Sequence, residues 1–234
     1  MNSQFNIQIL TLFPEMFPGV LGFSIAGSAL SRGLWSYNII NIRDFGIGLY
    51  QQVDDTPFGG GNGMVIRPDV LGRALDRAIS NQNGKKNIYY LSPRGVPINN
   101  TIVDQILTEK DVILICGRYE GIDERVIEEY NTIEICVGDV VLSGGEPAAQ
   151  LVLDACIRKI PGVLNNKDTL IEESFGNISN EVTLLEYPLY TKPRVWRDRE
   201  VPETLLSGHH KQIKEWRYKK AIEETSKRRP EFIK

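Results

Sequence analysis

Val112-Ile113-Leu114-Ile115-Cys116-Gly117-Arg118-Tyr119-Glu120-Gly121 joins five consecutive apolar residues to a loop whose two glycines bracket an arginine, a tyrosine and a glutamate. A strand that is apolar at every position has no face for water, so it belongs inside a sheet covered by helices on both sides. Similar strand candidates lie at 6–13, 34–42, 64–66, 88–91 and 132–137. Helix candidates fill the gaps at 22–32, 68–80, 99–107, 123–129 and 147–160, with Pro68 suited to a first turn and Asp123 to an N-cap. Alternation of this kind predicts an α/β fold with a mostly parallel sheet.

The composition agrees. Of 234 residues, 41% are hydrophobic and 24% charged, enough to bury one large domain or a medium domain plus a small one. No stretch approaches the roughly 20 apolar residues of a membrane span. The start, Met1-Asn2-Ser3-Gln4-Phe5-Asn6, lacks a basic segment followed by an apolar run, so neither a membrane partner nor a secretory signal is expected. Cys116, Cys136 and Cys156 are odd in number and far apart, which offers no metal spacing or disulfide framework and suits a reducing cytoplasm. His209 and His210 are the only histidines and adjoin each other, a poor start for a His-based triad or a zinc site. The net charge of −3 divides unevenly: from Lys192 onward the balance is +6, and before it −9. A basic tail on an acidic body fits either a polyanion surface or a solvated helix face, and charge alone does not separate them.

Beyond Pro161-Gly162 the alternation stops. Residues 162–188 are polar with short apolar islands and read as a linker or active-site loop, since unstructured stretches of that length in compact proteins tend to be functional or disordered. A second helical unit follows, with a short helix over 202–206 and, capped by Ser207, a longer one from 208 to about 227. On the longer helix Ile213 and Trp216 share an inward face, while His210, Lys214 and Arg217 form a basic stripe at spacings of four and three.

Four loops carry chemistry. Gly59-Gly60-Gly61-Asn62-Gly63 lacks the Lys-Ser/Thr of a phosphate loop and leads into Met64-Val65-Ile66 rather than a helix. Its glycines suit close backbone approach or positive φ. Leu91-Ser92-Pro93-Arg94-Gly95 follows a strand, where ligands of parallel sheets sit, but it also fits a plain Ser-Pro turn. The loop 117–121 begins past another strand end. Val137-Gly138-Asp139-Val140-Val141-Leu142-Ser143-Gly144-Gly145-Glu146-Pro147 opens a helix whose first amides are free for polar ligand atoms. No G-x-G-x-x-G is present, which disfavours a Rossmann dinucleotide site.

Together these runs resemble one family. Thr11-Leu12-Phe13-Pro14-Glu15-Met16-Phe17, Val53-Asp54-Asp55 with the glycines 59–63, Tyr90-Leu91-Ser92-Pro93, 117–125, 138–147, Ile160-Pro161-Gly162-Val163-Leu164, Tyr190-Thr191-Lys192-Pro193, and Val201-Pro202 with Leu205-Leu206-Ser207-Gly208 occur in the order of the bacterial tRNA (guanine-N(1))-methyltransferases, the TrmD family of the SPOUT class. The resemblance spans residues 5–232.

The resemblance implies a deep trefoil knot, which sequence reasoning alone would argue against, a homodimer, and methyl transfer from S-adenosylmethionine to N(1) of guanine 37 beside guanine 36 of tRNA. It implies an S-adenosylmethionine-binding domain over 1–162, a linker over 163–188, and a small helical, basic tRNA-binding domain over 189–234. Cofactor contacts fall on Tyr90, Leu91, Ser92, Pro93, Gly117, Tyr119, Glu120, Val137, Gly138, Asp139, Val140, Val141, Leu142, Gly144, Gly145 and Pro147, with adenine against the backbone of 137–142. Removing the N(1) proton needs a base, and charge building on O6 needs a cation. Arg158 matches the family arginine for O6, and Glu120 a glutamate that arranges cofactor and target. The family's linker aspartate is replaced by Glu173 in Glu172-Glu173-Ser174-Phe175, with Asp168 a weaker substitute. A second departure is Leu189, where many relatives carry histidine. Asp54 matches a residue implicated in guanine recognition, and Arg43, Lys192, Arg194 and Lys214 are candidate phosphate contacts. Family members are reported to depend on magnesium, but no metal-ligand cluster is visible, leaving any ion to act through RNA or cofactor. No DNA partner is expected. The competing readings are another SPOUT RNA methyltransferase and a non-catalytic RNA-binding protein on the same scaffold.

Overall fold

The computed structural model describes residues 4–80, 87–164, 166, 169–176 and 183–233. The chain forms two compact units, residues 1–165 and 166–234.

The first unit alternates strands and helices: β1 (Phe5–Thr11), α1 (Ser24–Ser31), β2 (Trp35–Asn41), β3 (Asp54–Asp55), β4 (Val65–Ile66), α2 (Pro68–Ser80), β5 (Asn87–Pro97), α3 (Asn100–Thr108), β6 (Asp111–Ile115), α4 (Glu124–Glu129), β7 (Ile133–Cys136) and α5 (Gly145–Ile157). Five strands form one sheet in the order β2-β1-β6-β5-β7, and every neighbouring pair is parallel. Side chains alternate across a strand, so the all-apolar run feeds two cores at once. Ile113 and Ile115 join Val70, Leu71, Ala74 and Leu75 of α2. Val112, Leu114 and Cys116 join Ala149, Val152, Leu153 and Cys156 of α5. Trp35, 1% exposed, anchors the second layer, and its indole N–H donates to the Ala26 carbonyl at 2.9 Å.

Local signals explain the helix boundaries. Pro68 begins α2 where its missing N–H costs nothing, and the helix buries Val70, Leu71, Ala74, Leu75 and Ala78 on one face. The Asp123 carboxylate accepts from the Arg125 amide and caps α4, as expected.

The strand candidate at 64–66 forms β4, which pairs antiparallel with β3 in a two-residue ladder apart from the main sheet. Two expectations need correction. Ser92-Pro93 does not end its strand: β5 runs on to Pro97, with a bulge between Leu91 and Val96 after which pairing to β7 resumes. Such bulges re-aim side chains where pairing is locally broken. In the second unit Ser207 ends a short helix α7 (Glu203–Leu206) instead of capping the next one. Its hydroxyl accepts from the His209 amide at 3.2 Å, and α8 (His210–Arg228) starts without a side-chain cap.

The second unit also holds a short helix at Thr169–Glu172 and an antiparallel hairpin of Val195–Trp196 with Arg199–Glu200. Leu184 is wholly buried, and the next residue's amide donates to Thr225 on α8 at 2.9 Å. Ile213 and Trp216 are half-buried on α8, whereas His210 and Lys214 are exposed. Arg217 leaves the expected open stripe and lies 4.8 Å over the Tyr187 ring. Among the described residues no helix is long and apolar enough to cross a membrane.

Candidate active site

The bulge of β5 and the loops that follow β6 and β7 converge on a cleft of about 180 Å³. Its walls come from Tyr90, Leu91, Ser92 and Pro93, from residues 117–121, and from residues 135–138, 140–142, 144 and 145 with Ala148. Glycines make the approach possible. A Cβ on Gly117 would stand 2.7 Å from the Tyr90 ring, and Gly121 takes φ +130°. Tyr119, between them, holds a left-handed φ of +61°, a conformation found where surroundings over-determine the backbone. Burial pushes the Tyr90 phenol above its ordinary value of 10, with Glu134 adding to the shift. Across the cleft the Gly145 amide donates to the Gly117 carbonyl at 2.8 Å, joining the start of α5 to the end of β6. Val140, Val141 and Leu142 stand exposed on the rim, an apolar ledge beside free backbone groups.

A second cleft of about 920 Å³ shares Tyr90, Ser92, Pro93, Glu120 and Gly121 with the first. Its arginines are paired: Arg67 with Asp55 and Asp69 at 3.1 Å each, Arg94 with Glu124 at 2.9 Å, Arg125 with Asp123 at 2.8 Å. Hydrogen bonds from Arg67 and Arg125 hold the Asp69 and Asp123 carboxyls below their usual range. Glu120 stands exposed between the two clefts, its amide donating to the Met64 carbonyl at 2.9 Å. The glycine run explains itself here, because a side chain on Gly63 (φ +83°) would collide with Glu120.

Most of the sequence-derived cofactor residues therefore line one cleft. Asp139 is exposed and, like Pro147, does not line it, while Arg118, Gly121, Ile135, Cys136 and Ala148 do. Asp54 sits in β3 beside Asp55, which lines the larger cleft. Arg43 is exposed in a 3-10 turn after β2. Arg158 caps the far end of α5; at about 1.5 Å per residue it stands roughly 20 Å from Gly145. In the second unit Glu173 is half-buried with its carbonyl accepting from the Gly176 amide at 2.9 Å, and Lys192, Arg194 and Lys214 are exposed. Asp168 lies outside the described residues. Among the described residues no group of three His, Cys, Asp or Glu side chains could hold a metal.

The residue that sequence reasoning missed is Arg118, which reaches wholly buried Glu146 at 2.9 Å. The available signal was Glu146 itself, an acid in the first turn of a helix that otherwise buries Ala148, Ala149, Val152 and Leu153. A buried carboxylate needs a cation.

A parallel α/β sheet with glycine-walled clefts at its strand carboxyl ends belongs to the class that binds nucleotide-like ligands there. The family model described as tRNA (Guanine-1)-methyltransferase TrmD matches residues 5–234, and the chain belongs to that family. It is 52% identical over 233 residues to a tRNA (guanine-N(1)-)-methyltransferase of Rickettsia prowazekii (strain Madrid E), covering 99% of each chain. Proteins of the same description from Rickettsia akari (strain Hartford) and Wolbachia pipientis wMel are 53% identical over 226 residues and 50% over 229. They are covered to 96% and 95% of their lengths by 97% and 98% of this chain.

Proposed function

We propose that this chain methylates N(1) of guanine 37, next to guanine 36, in tRNA, with S-adenosylmethionine as donor. The observation that carries the reading is Glu120, set between a small glycine-walled cleft and a larger one lined by arginine–carboxylate pairs. The small cleft suits the donor: glycine-held backbone, an apolar ledge for adenine at 140–142, and no lysine or arginine pair demanding a phosphate. The larger cleft suits a nucleotide, because its exposed arginines can exchange carboxylate partners for phosphate oxygens.

When bound, S-adenosylmethionine supplies an electrophilic methyl group. The chain's own residues do the rest. Glu173 takes the proton from N(1), and Arg158 donates to O6 as negative charge gathers there. Glu120 orients the guanine edge against the donor. Lys192, Arg194, Lys214 and Arg43 hold phosphates, positioning the RNA without reading its sequence, and Asp54 contacts the guanine. The 189–234 segment serves as the helical tRNA-binding domain. A trefoil knot is supported by the path after β7, which returns from the sheet edge to seat Gly145 against the backbone of Cys116 and Gly117.

Helix geometry supports a dimer. The side of α5 turned away from the core carries Pro147, Leu151, Asp154 and Arg158, spaced along one stripe. Leu151, at its middle, is 50% exposed, with Val20 and Phe23 exposed on adjoining segments. An isologous antiparallel contact centred on Leu151 sets the Arg158 end of one helix beside the Gly145 end of the other.

The test is labelled methyl transfer to transcripts carrying guanine or adenine at position 37 next to guanine 36. Labelling of the first alone is expected, falling about 100-fold or more in Glu173→Ala. Labelling that survives Glu173→Ala removes the base assignment, and labelling of neither transcript removes the reaction. Co-produced Arg158→Ala and Glu120→Ala chains should recover about a quarter of parental activity, since half the dimers then carry one intact composite site. No recovery would put each site within one chain.

A further inference from the structure

No step above uses the Arg118 side chain, nor the 11–17 run that the sequence singled out. The structure joins them. Arg118 leaves the loop after β6 and enters a socket in which only 16% of its side chain stays exposed. Its Nε lies 2.9 Å from Oε2 of Glu146, whose side chain is wholly buried. The other carboxylate oxygen of Glu146 accepts from the Thr11 hydroxyl at 2.6 Å, and that hydroxyl accepts from the Phe13 amide at 2.9 Å. The guanidinium carbon stands 4.3 Å from the centre of the Phe13 ring, and one terminal nitrogen reaches Met16 Sδ at 3.4 Å. The remaining terminal nitrogen donates to the Ser143 carbonyl at 3.0 Å.

That last bond matters for the cleft. Gly117 and Tyr119, on either side of Arg118, form one wall, and the 138–144 loop that ends in Ser143 and Gly144 forms the other. One side chain thus ties both walls. The guanidinium group packs against Gly144, where a Cβ would overlap it. The buried Glu146 charge holds the arginine in place, because leaving that carboxylate unpaired is costly.

We propose that Arg118 is a positioning residue for donor binding: socketed by Glu146, Phe13 and Met16, it holds the Ser143 carbonyl and fixes the width of the cleft. The proposal rests on the assignment of that cleft to S-adenosylmethionine. Lysine at 118 keeps a charge for Glu146, but a single ammonium cannot also reach Ser143 while stacking on Phe13. The role differs from fold maintenance, because the core layers on both faces of the sheet are apolar and do not depend on the Ser143 contact.

The parent protein, Arg118→Lys and Phe13→Leu are titrated with S-adenosylmethionine by calorimetry, alongside KM for tRNA and the thermal midpoint without ligand. Donor affinity should fall about tenfold in Arg118→Lys, the scale of one charge-assisted hydrogen bond, and about threefold in Phe13→Leu, the scale of an exposed cation–π contact. The tRNA KM and the midpoint should stay at parental values. Donor affinity within twofold of the parent in both folded variants overturns the proposal. So does a loss that tracks a falling midpoint, which would make the socket merely structural. If Arg118→Lys does not fold, Phe13→Leu decides alone. A parent that binds no donor removes the cofactor assignment itself, whereas a binding parent with unaffected variants removes only the role of Arg118.

Discussion

Gly145→Ala separates local propensity from tertiary contact, because the two predict opposite signs. Gly145 is the first residue of α5, and alanine in a helix is favoured over glycine by about 1 kcal/mol. Its Cβ, however, would stand 2.7 Å from Cα of Cys116 and 2.8 Å from the Gly117 nitrogen. Both are main-chain atoms at the end of a buried strand, so no side chain can swing aside. Reaching an ordinary carbon contact of about 3.5 Å requires the start of α5 to retreat by roughly 0.8 Å. Overpacking of that kind costs about 1–3 kcal/mol. After the propensity gain a net loss of about 0–2 kcal/mol remains, or up to about 8 °C in the midpoint of a unit this size. The same retreat opens the 2.8 Å bond from the Gly145 amide to the Gly117 carbonyl, which joins the two walls of the cleft. A displacement near 1 Å can slow a positioned reaction about 100-fold. Calorimetry and single-turnover methyl transfer measure the two effects. A midpoint that rises, with transfer within threefold of the parent, would refute the described contact between α5 and β6.

Other expectations follow from burial and charge. Burial pushes the Cys156 thiol up to about 12 and the Cys116 thiol well above its ordinary value of 9. Neither should react with a disulfide reagent at about pH 8 faster than the chain unfolds, and prompt labelling of either in the native protein would contradict the packing described. Burial, with a hydrogen bond to Asp76, also raises the Tyr130 phenol from 10 to about 12. A folded-state pKa raised above its unfolded value gives stability that is full below the unfolded pKa and lost as pH climbs through the folded one. Unfolding free energy in urea should therefore fall between about pH 9 and pH 12, and a rise over that window would reverse the argument. Leu151→Glu should convert the proposed dimer to monomer in sedimentation and cut methyl transfer at least about 100-fold with helix content unchanged, since it sets two charges face to face at the centre of the contact. A dimer that persists with full activity would place the interface elsewhere.

The parallel sheet was readable because its signal is dense. Residues 112–116 supply apolar side chains to both core layers, and Pro68 and Asp123 mark helix starts by backbone chemistry alone. The errors occur where tertiary contacts override local signals. Ser92-Pro93 reads as a strand end, yet β5 bulges and resumes pairing at Val96. Gly95 permits it, since a Cβ there would overlap the backbone of Ile135, but which strand comes that close is not written in the local sequence. Ser207 resembles an N-cap by composition, and only the observed turn of α7 gives its hydroxyl to His209 instead. The Arg118–Glu146 pair spans 28 positions, so neither residue announces the other; only the combination of a buried acid and an arginine beside a glycine loop hints at it.

Family resemblance supplied Arg158 and Gly145 as members of one site, and it said nothing about which chain provides each. Helix geometry does bear on that question. Thirteen helical steps separate them, about 20 Å along the axis, which no arginine side chain spans. The isologous contact proposed above would meet this by bringing a second chain's arginine to the cleft. The stripe of Pro147, Leu151, Asp154 and Arg158 suits this, since Leu151 lies near its middle, Arg158 at one end, and Pro147 at the other, two residues from Gly145. On this argument the dimer is a condition of catalysis: a folded monomer would keep its donor cleft and lack the group that stabilises charge on O6. Donor binding should survive dissociation while methyl transfer does not, and that separation is what Leu151→Glu measures.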